Sequence, residues 1–221
     1  MKISNLLALA AVLIGGIMIA APGYAAQDSR LLPIADSSAN LQASQKVAVL
    51  YSENTIGTLQ YLQHYRAMAS NGAQDSQLDG RIRQAFIGSA DPTLAIDRIQ
   101  GALQARFASV TVYDNLDAAL QARPDVVVML DLYNRLLTQR NSEVEARFAA
   151  TFYDAELQYI GKAEGVRDED MTSAWLKGKA AEQIAAQIDR QRGVQLDALD
   201  RFDASLDALL GAEHAGRIAA N

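Results

Sequence analysis

Pro124-Asp125-Val126-Val127-Val128-Met129-Leu130-Asp131-Leu132-Tyr133 and the later Glu143-Val144-Glu145-Ala146-Arg147-Phe148-Ala149-Ala150-Thr151-Phe152 set two kinds of strand close together in the chain. The first holds an unbroken apolar core from Val126 to Leu130, the pattern of a strand covered on both faces. The second alternates: Val144, Ala146, Phe148, Ala150 and Phe152 point one way, while Glu143, Glu145, Arg147 and Thr151 point the other. One of its faces should be buried and one wet. Asp154-Ala155-Glu156 is a tight connection into a further strand from Leu157 to Gly165, so these last two strands form an antiparallel hairpin.

Upstream the strands are separated by helical stretches. Lys46-Val47-Ala48-Val49-Leu50-Tyr51 reads as a buried first strand, and Val110-Thr111-Val112-Tyr113 as a second. Between them Asp91-Pro92 marks a helix start, since aspartate caps the end and proline fits the first turn. Ile96, Ile99, Leu103 and Phe107 follow at steps of three and four and give that helix one apolar face. Leu59, Leu62, Tyr65 and Met68 have helical spacing up to Asn71-Gly72, and a short helix is expected from Leu78 to Phe86; Gly57 to Phe86 is nonetheless the least regular part. Asn115 caps a short helix that Pro124 stops. From Thr172 the chain is helical, with Trp175, Ile184, Ile188, Leu196, Leu199, Phe202, Leu206 and Leu209 as apolar positions, and Gly193 is a point where this helix would divide. Helix-linked early strands favour parallel pairing and the late hairpin is antiparallel. The expected fold is α/β: a mixed sheet of four to five strands, helices mainly on one face, and a long C-terminal helix. No internal repeat is present.

The N-terminus has the order of a secretory signal: Lys2, an apolar run from Leu6 to Ala21, then Pro22-Gly23-Tyr24-Ala25-Ala26 with small residues for cleavage after Ala25 or Ala26. Gly15-Gly16 interrupts the run, which is shorter than the roughly 20 apolar residues of a spanning helix. The expectation is a signal peptide over 1–25, a flexible leader over 26–44, one domain over 45–210 and a tail over 211–221, with the mature protein in a periplasm. Removing 25 of the 221 residues leaves 196 and takes the formal charge from −6 to −7. A chain of that length buries a core without staples, in keeping with the complete absence of cysteine. Acidic and basic residues are interspersed, with no lysine or arginine block for phosphate, which argues against nucleic acid as a partner. No cysteine follows the signal to carry a lipid.

No G-x-S-x-G, Walker, G-x-G-x-x-G or H-E-x-x-H pattern occurs, so neither a catalytic residue nor a metal or cofactor is expected from motifs. His64 and His214 are far apart; His64 reads as a solvated or partly packed helix residue and His214 as exposed. Asp168-Glu169-Asp170 lacks the ligand spacing and glycine of a calcium loop and reads as a solvated turn, with Met171-Thr172-Ser173 capping the last helix. Asp131 interrupts an apolar strand; it is either a pocket residue at a strand end or a rim position, with Arg135 and Arg147 as candidate partners. Tyr51, Tyr61 and Tyr65 are candidate interface or pocket residues, against the ordinary reading of helically spaced aromatics as core.

The helix Ile96 to Phe107, the strand Val110-Thr111-Val112, the run Pro124 to Val128, the hairpin from Val144 to Gly165 and the final helix together resemble the small α/β domain of bacterial envelope accessory proteins: YajG-type lipoproteins, penicillin-binding-protein activators and the N-terminal domain of TolB. That resemblance implies binding or assembly work on an envelope protein partner, and no catalysis. The alternatives are a soluble periplasmic binder of a small or lipidic ligand, in a cavity lined by Tyr51, Met68 and Phe86, and a hydrolase with a dispersed carboxylate site such as Glu53 with Asp131.

Overall fold

A computed structural model of the chain describes residues 36–37, 39–71, 79–137, 141–171 and 180–219. The signal peptide, the first part of the leader, the Thr172-Ser173 cap and Trp175 lie outside the described residues. Five strands, β1 (Lys46–Tyr51), β2 (Ser109–Val112), β3 (Val126–Arg135), β4 (Glu143–Asp154) and β5 (Tyr159–Asp170), form one sheet in the order β2-β1-β3-β4-β5. The helices are α1 (Glu53–Asn71), α2 (Gly80–Ser89), α3 (Thr93–Gln104), α4 (Leu116–Gln121) and α5 (Ala181–Ala219). β1 pairs in parallel with both β2 and β3, while β3–β4 and β4–β5 are antiparallel, so the expected α/β fold with a mixed sheet and a long last helix is the one observed.

Helices α1, α2, α3 and α5 share one core with the side chains Val47, Val49, Val126, Val128, Leu130, Phe148, Ala150 and Phe152. Among the described helices, α4 alone lies on the other face, over a smaller cluster of Ala48, Leu50, Val127, Met129 and Tyr153 with Ala119. The continuous apolar run of β3 is thus covered on both sides at its start. Asn115 caps α4 as expected, its Oδ1 accepting from the Ala118 N–H at 2.9 Å; α3 has Pro92 at its N-cap, and Asp91, one residue before it, accepts from the Thr93 N–H at 3.1 Å. Asp154 Oδ1 accepts from the Glu156 and Gln158 N–H groups at 3.1 and 2.8 Å, which closes the β4–β5 hairpin although Leu157 takes a left-handed φ of 62°.

Several expectations are corrected. The irregular stretch begins as a helix at Glu53, because Ser52 caps it: the Thr55 N–H donates to Ser52 Oγ at 3.0 Å. The leader is docked at its C-terminal end. Asp36 bridges Tyr159, the Ser37 N–H donates to the Tyr159 carbonyl, the Ser37 hydroxyl bonds Asp154, and Leu41 is only 3% exposed. The outward face of β4 is not wet throughout, since Ala149, Thr151 and Tyr153 are buried; the hydrophilic pattern holds only for Glu143, Glu145 and Arg147. Asp168-Glu169-Asp170 is not a turn but the end of β5, paired with Glu145, Val144 and Glu143. Gly193 does not divide α5, which is held across that position by buried Ile188, Gln191, Val194 and Gln195 and runs on to Ala219 through most of the stretch read as a tail.

A buried polar network fixes how α5 sits. Gln191 Oε1 accepts from the Leu137 N–H at 2.9 Å, its Nε2 donates to Ser89 Oγ at 2.6 Å, and Gln195 Nε2 donates to the Ser89 carbonyl at 3.0 Å. These three contacts tie the ends of α2 and of the β3 segment to one register of an otherwise repetitive helix.

Candidate functional site

Beyond the end of β1, β3 stays paired with β4 but has no described strand on its other side, and the backbone groups on that side must be satisfied some other way. Hydroxyls of α1 supply the partners. The Ser52 N–H donates to the Leu130 carbonyl at 2.9 Å, Thr55 Oγ1 donates to the same carbonyl at 2.8 Å and accepts from the Leu132 N–H at 2.9 Å, and Thr58 Oγ1 donates to the Leu132 carbonyl at 2.9 Å. Asp131, between those two residues, accepts from Ser52 Oγ at 2.6 Å and Asn54 Nδ2 at 3.1 Å. Asp131 is therefore an anchor that holds the first turn of α1 on the sheet. The arginines proposed as its partners pair with glutamates: Arg135 with Glu143 and Glu145, and Arg147 with Glu145 at 2.9 Å. Glu53 is exposed. Sequence reasoning missed the hydroxyl row, whose signal was Ser52, Thr55 and Thr58 three residues apart at the start of a helix.

The tyrosines separate. Tyr65 is buried in the core, its ring centroid 5.6 Å from that of Tyr61 and 6.2 Å from that of Phe86. Burial pushes its phenol up to about 12. Tyr61 is half-buried against the same core and is raised further, first by burial and then by Tyr65. Tyr51 stands apart at the end of β1, where Gln100 Nε2 donates to its hydroxyl at 3.3 Å; burial, then the Asp97 carboxylate, raise its pKa. Ile82, Leu62, Tyr65 and Phe86 fill the space beneath α1 and α2 that a ligand cavity there would need.

Strand alternation and register bring a different set of side chains together. Asp131, Tyr133 and Arg135 of β3 lie opposite Ala149, Arg147 and Glu145 of β4, and these lie opposite Glu164, Val166 and Asp168 of β5. All are on the face that carries α4, but α4 covers only the end near Ala48 and Val127. No other described helix lies on this side. Tyr133 is at the centre: the Arg135 and Arg147 guanidinium carbons are 5.9 and 6.0 Å from its ring centroid, and Arg135 Nε donates to its hydroxyl at 3.1 Å. That hydrogen bond leads the causes that raise the Arg135 pKa. Lys162 and Glu164 pair at 3.0 Å alongside. A half-buried aromatic clamped between two arginines that are themselves held by Glu145 is a pre-ordered surface, with guanidinium and carboxylate groups at fixed positions. Among the described residues no three His, Cys, Asp or Glu side chains are placed to hold a metal ion. His64 is exposed on α1.

No family model and no curated protein matches the chain. Among solved structures it is similar to the PelC dodecamer from Paraburkholderia phytofirmans in two crystal forms. A variant in space group C2 is 14% identical, with 74% of this chain and 93% of that chain covered and a TM-score of 0.31. The form in space group P6 is 14% identical, with 70% and 89% covered and a TM-score of 0.33.

Proposed function

We propose that this protein is a non-catalytic accessory of a bacterial cell envelope, exported to the periplasm, that works by holding a protein partner on the open face of its sheet. The observation that carries this is the Tyr133-Arg135-Arg147 clamp on a face that α4 leaves uncovered. Aromatic and arginine side chains dominate the energetics of protein interfaces, and here both are ordered before any partner arrives. The filled core beneath α1 and α2 favours this over a ligand cavity, and the engagement of Asp131 by Ser52 and Asn54 favours it over a carboxylate dyad.

The test places a photo-crosslinking residue at Tyr133 or, as a control, at exposed His64, in cells expressing a tagged copy. One envelope protein trapped from Tyr133, absent from His64, and lost when Arg147→Glu is added without a change in melting temperature, is the expected result. Equal trapping from both positions, or none from Tyr133, would overturn the assignment of this face.

A further inference from the structure

We infer that β2 pairs with the β2 of a second copy of this chain, antiparallel about a two-fold axis through Thr111. β2 ends the sheet, and no described strand lies outside it. The Tyr113 N–H donates inward to the Val49 carbonyl at 2.9 Å, so by alternation Thr111 also faces β1, while Val110 and Val112 turn their N–H and C=O groups outward. Natural edges are protected by charge, proline, a bulge or a covering element. The opposite edge has such protection: β5 carries Lys162, Glu164, Arg167, Asp168, Glu169 and Asp170, and Asp36 pairs with its first residue. β2 is Ser109-Val110-Thr111-Val112, without a charge, proline or glycine, and Val112 is 38% exposed.

The outward set favours a second copy over another partner because Val110-Thr111-Val112 reads the same in both directions. With Thr111 facing its own copy, Val110 of each chain exchanges both backbone bonds with Val112 of the other. This satisfies every outward group of the two valines, as a self-complementary two-fold contact requires. An axis normal to the sheet keeps like faces together, so the product is a ten-stranded sheet with α3 beside α3 and α4 beside α4. A four-residue edge falls short of the roughly 1,200 Å² of a stable interface, so the dimer should be weak and concentration-dependent.

The absence of cysteine makes a direct test available. In Thr111→Cys the two thiols would meet across a non-hydrogen-bonded pair with Cα atoms about 4.5 Å apart, within the span a disulfide bridges. Under mild oxidation Thr111→Cys should give a disulfide dimer at least tenfold faster than His64→Cys, an exposed site away from the edge. In sedimentation equilibrium the unmodified chain should show a reversible dimer that Val112→Pro or Val112→Lys removes; the Val112 N–H points outward, so neither change touches the β1 ladder. Crosslinking of Thr111→Cys no faster than His64→Cys would overturn the inference. So would a monomer at every concentration, or a dimer that persists in a folded Val112 variant. Loss of some other protein partner on changing Val112, with no crosslink at Thr111, would assign the edge to that partner and also overturn self-pairing.

Discussion

Gly165→Ala should be among the most damaging single-methyl changes this domain can receive. Gly165 lies in β5 where α5 crosses it backbone to backbone: an added Cβ would fall inside the contact distance of the Ala198 carbonyl oxygen and the Phe202 amide nitrogen and reach 3.0 Å from Phe202 Cα. An ordinary carbon–oxygen approach is about 3.3 Å, so α5 would have to retreat by about 1 Å or more. Unlike a side chain, these backbone atoms cannot rotate aside. A gap of that size forfeits about a quarter to a half of the dispersion contact across it. Phe202 and Leu206, both fully buried, are the side chains seated by this approach. At about 1.5–3 kcal/mol of burial each, losing that fraction of two such residues costs about 1–3 kcal/mol. Strain in whichever backbone yields adds about 1–3 kcal/mol. A total of about 2–6 kcal/mol corresponds to a fall in Tm of roughly 4–24 °C for a domain of this size.

Two other glycines calibrate the measurement. At Gly161 the new methyl meets chiefly Leu209 Cδ1, at 2.6 Å, which is the end of a half-buried side chain free to change rotamer; the cost should stay near 1 kcal/mol. At Gly193, inside α5, nothing lies within 4 Å, and alanine should stabilise by about 0.5–1 kcal/mol through helix propensity. Thermal melts followed by circular dichroism should therefore rank Gly193→Ala above the unmodified chain, then Gly161→Ala, with Gly165→Ala far below. A Gly165→Ala protein melting within a degree or two of the unmodified chain would refute the close approach of β5 and α5. Loss of stability at Gly193→Ala would refute the continuous helix.

Gln191→Met keeps the length of a fully buried side chain but leaves the Leu137 N–H and the Ser89 hydroxyl to find new partners, a loss of about 2–4 kcal/mol in urea unfolding; a loss under 1 kcal/mol would mean the network does not hold α5. Tyr65 bears on alkaline stability. Burial raises its folded pKa from 10.0 to about 12, so its contribution is whole below pH 10 and is lost as pH rises toward 12, where the unfolded chain has released a proton that the folded chain retains. Absorbance at 295 nm should show a phenolate step that coincides with unfolding, and Tyr65→Phe should make that part of the alkaline loss disappear; a Tyr65 that ionises while the fold is intact would contradict its burial.

The sheet was legible because each strand announced its surroundings: Val126 to Leu130 is covered on both faces, and the valines and phenylalanines of β4 face the helices. Where the sequence misled, a tertiary contact had overridden a local rule. Gly193 weakens a helix by propensity, yet Ile188, Gln191 and Val194 are buried on either side of it and carry α5 through. Asp168-Glu169-Asp170 has the composition of a turn, but cross-strand pairing with Glu143, Val144 and Glu145 extends β5 to include it. Leu41 sits in a polar leader and is buried because the chain before β1 returns to the β4–β5 hairpin, a contact without local signal.

The candidate site was less legible for a reason that lies in the connections. Between β1 and β2 the chain builds three helices, and all three pack on one face. From Tyr113 to Asp125, between β2 and β3, it has room for the six residues of α4, and the later strands are joined by short links before α5 returns to the first face. Among the described residues the second face is thus covered by a helix only where α4 reaches, and its far end is finished by the side chains of β3, β4 and β5 themselves. Tyr133, Arg135, Glu145 and Arg147 do this by clamping one another, a relation set by the pairing of Tyr133 with Arg147 and of Arg135 with Glu145 across two strands. Spacing along one strand could not have shown it. Among the described residues β2 likewise ends the sheet without a covering element, so the two surfaces assigned here to association have one cause: the described helices are spent on the other side of the sheet.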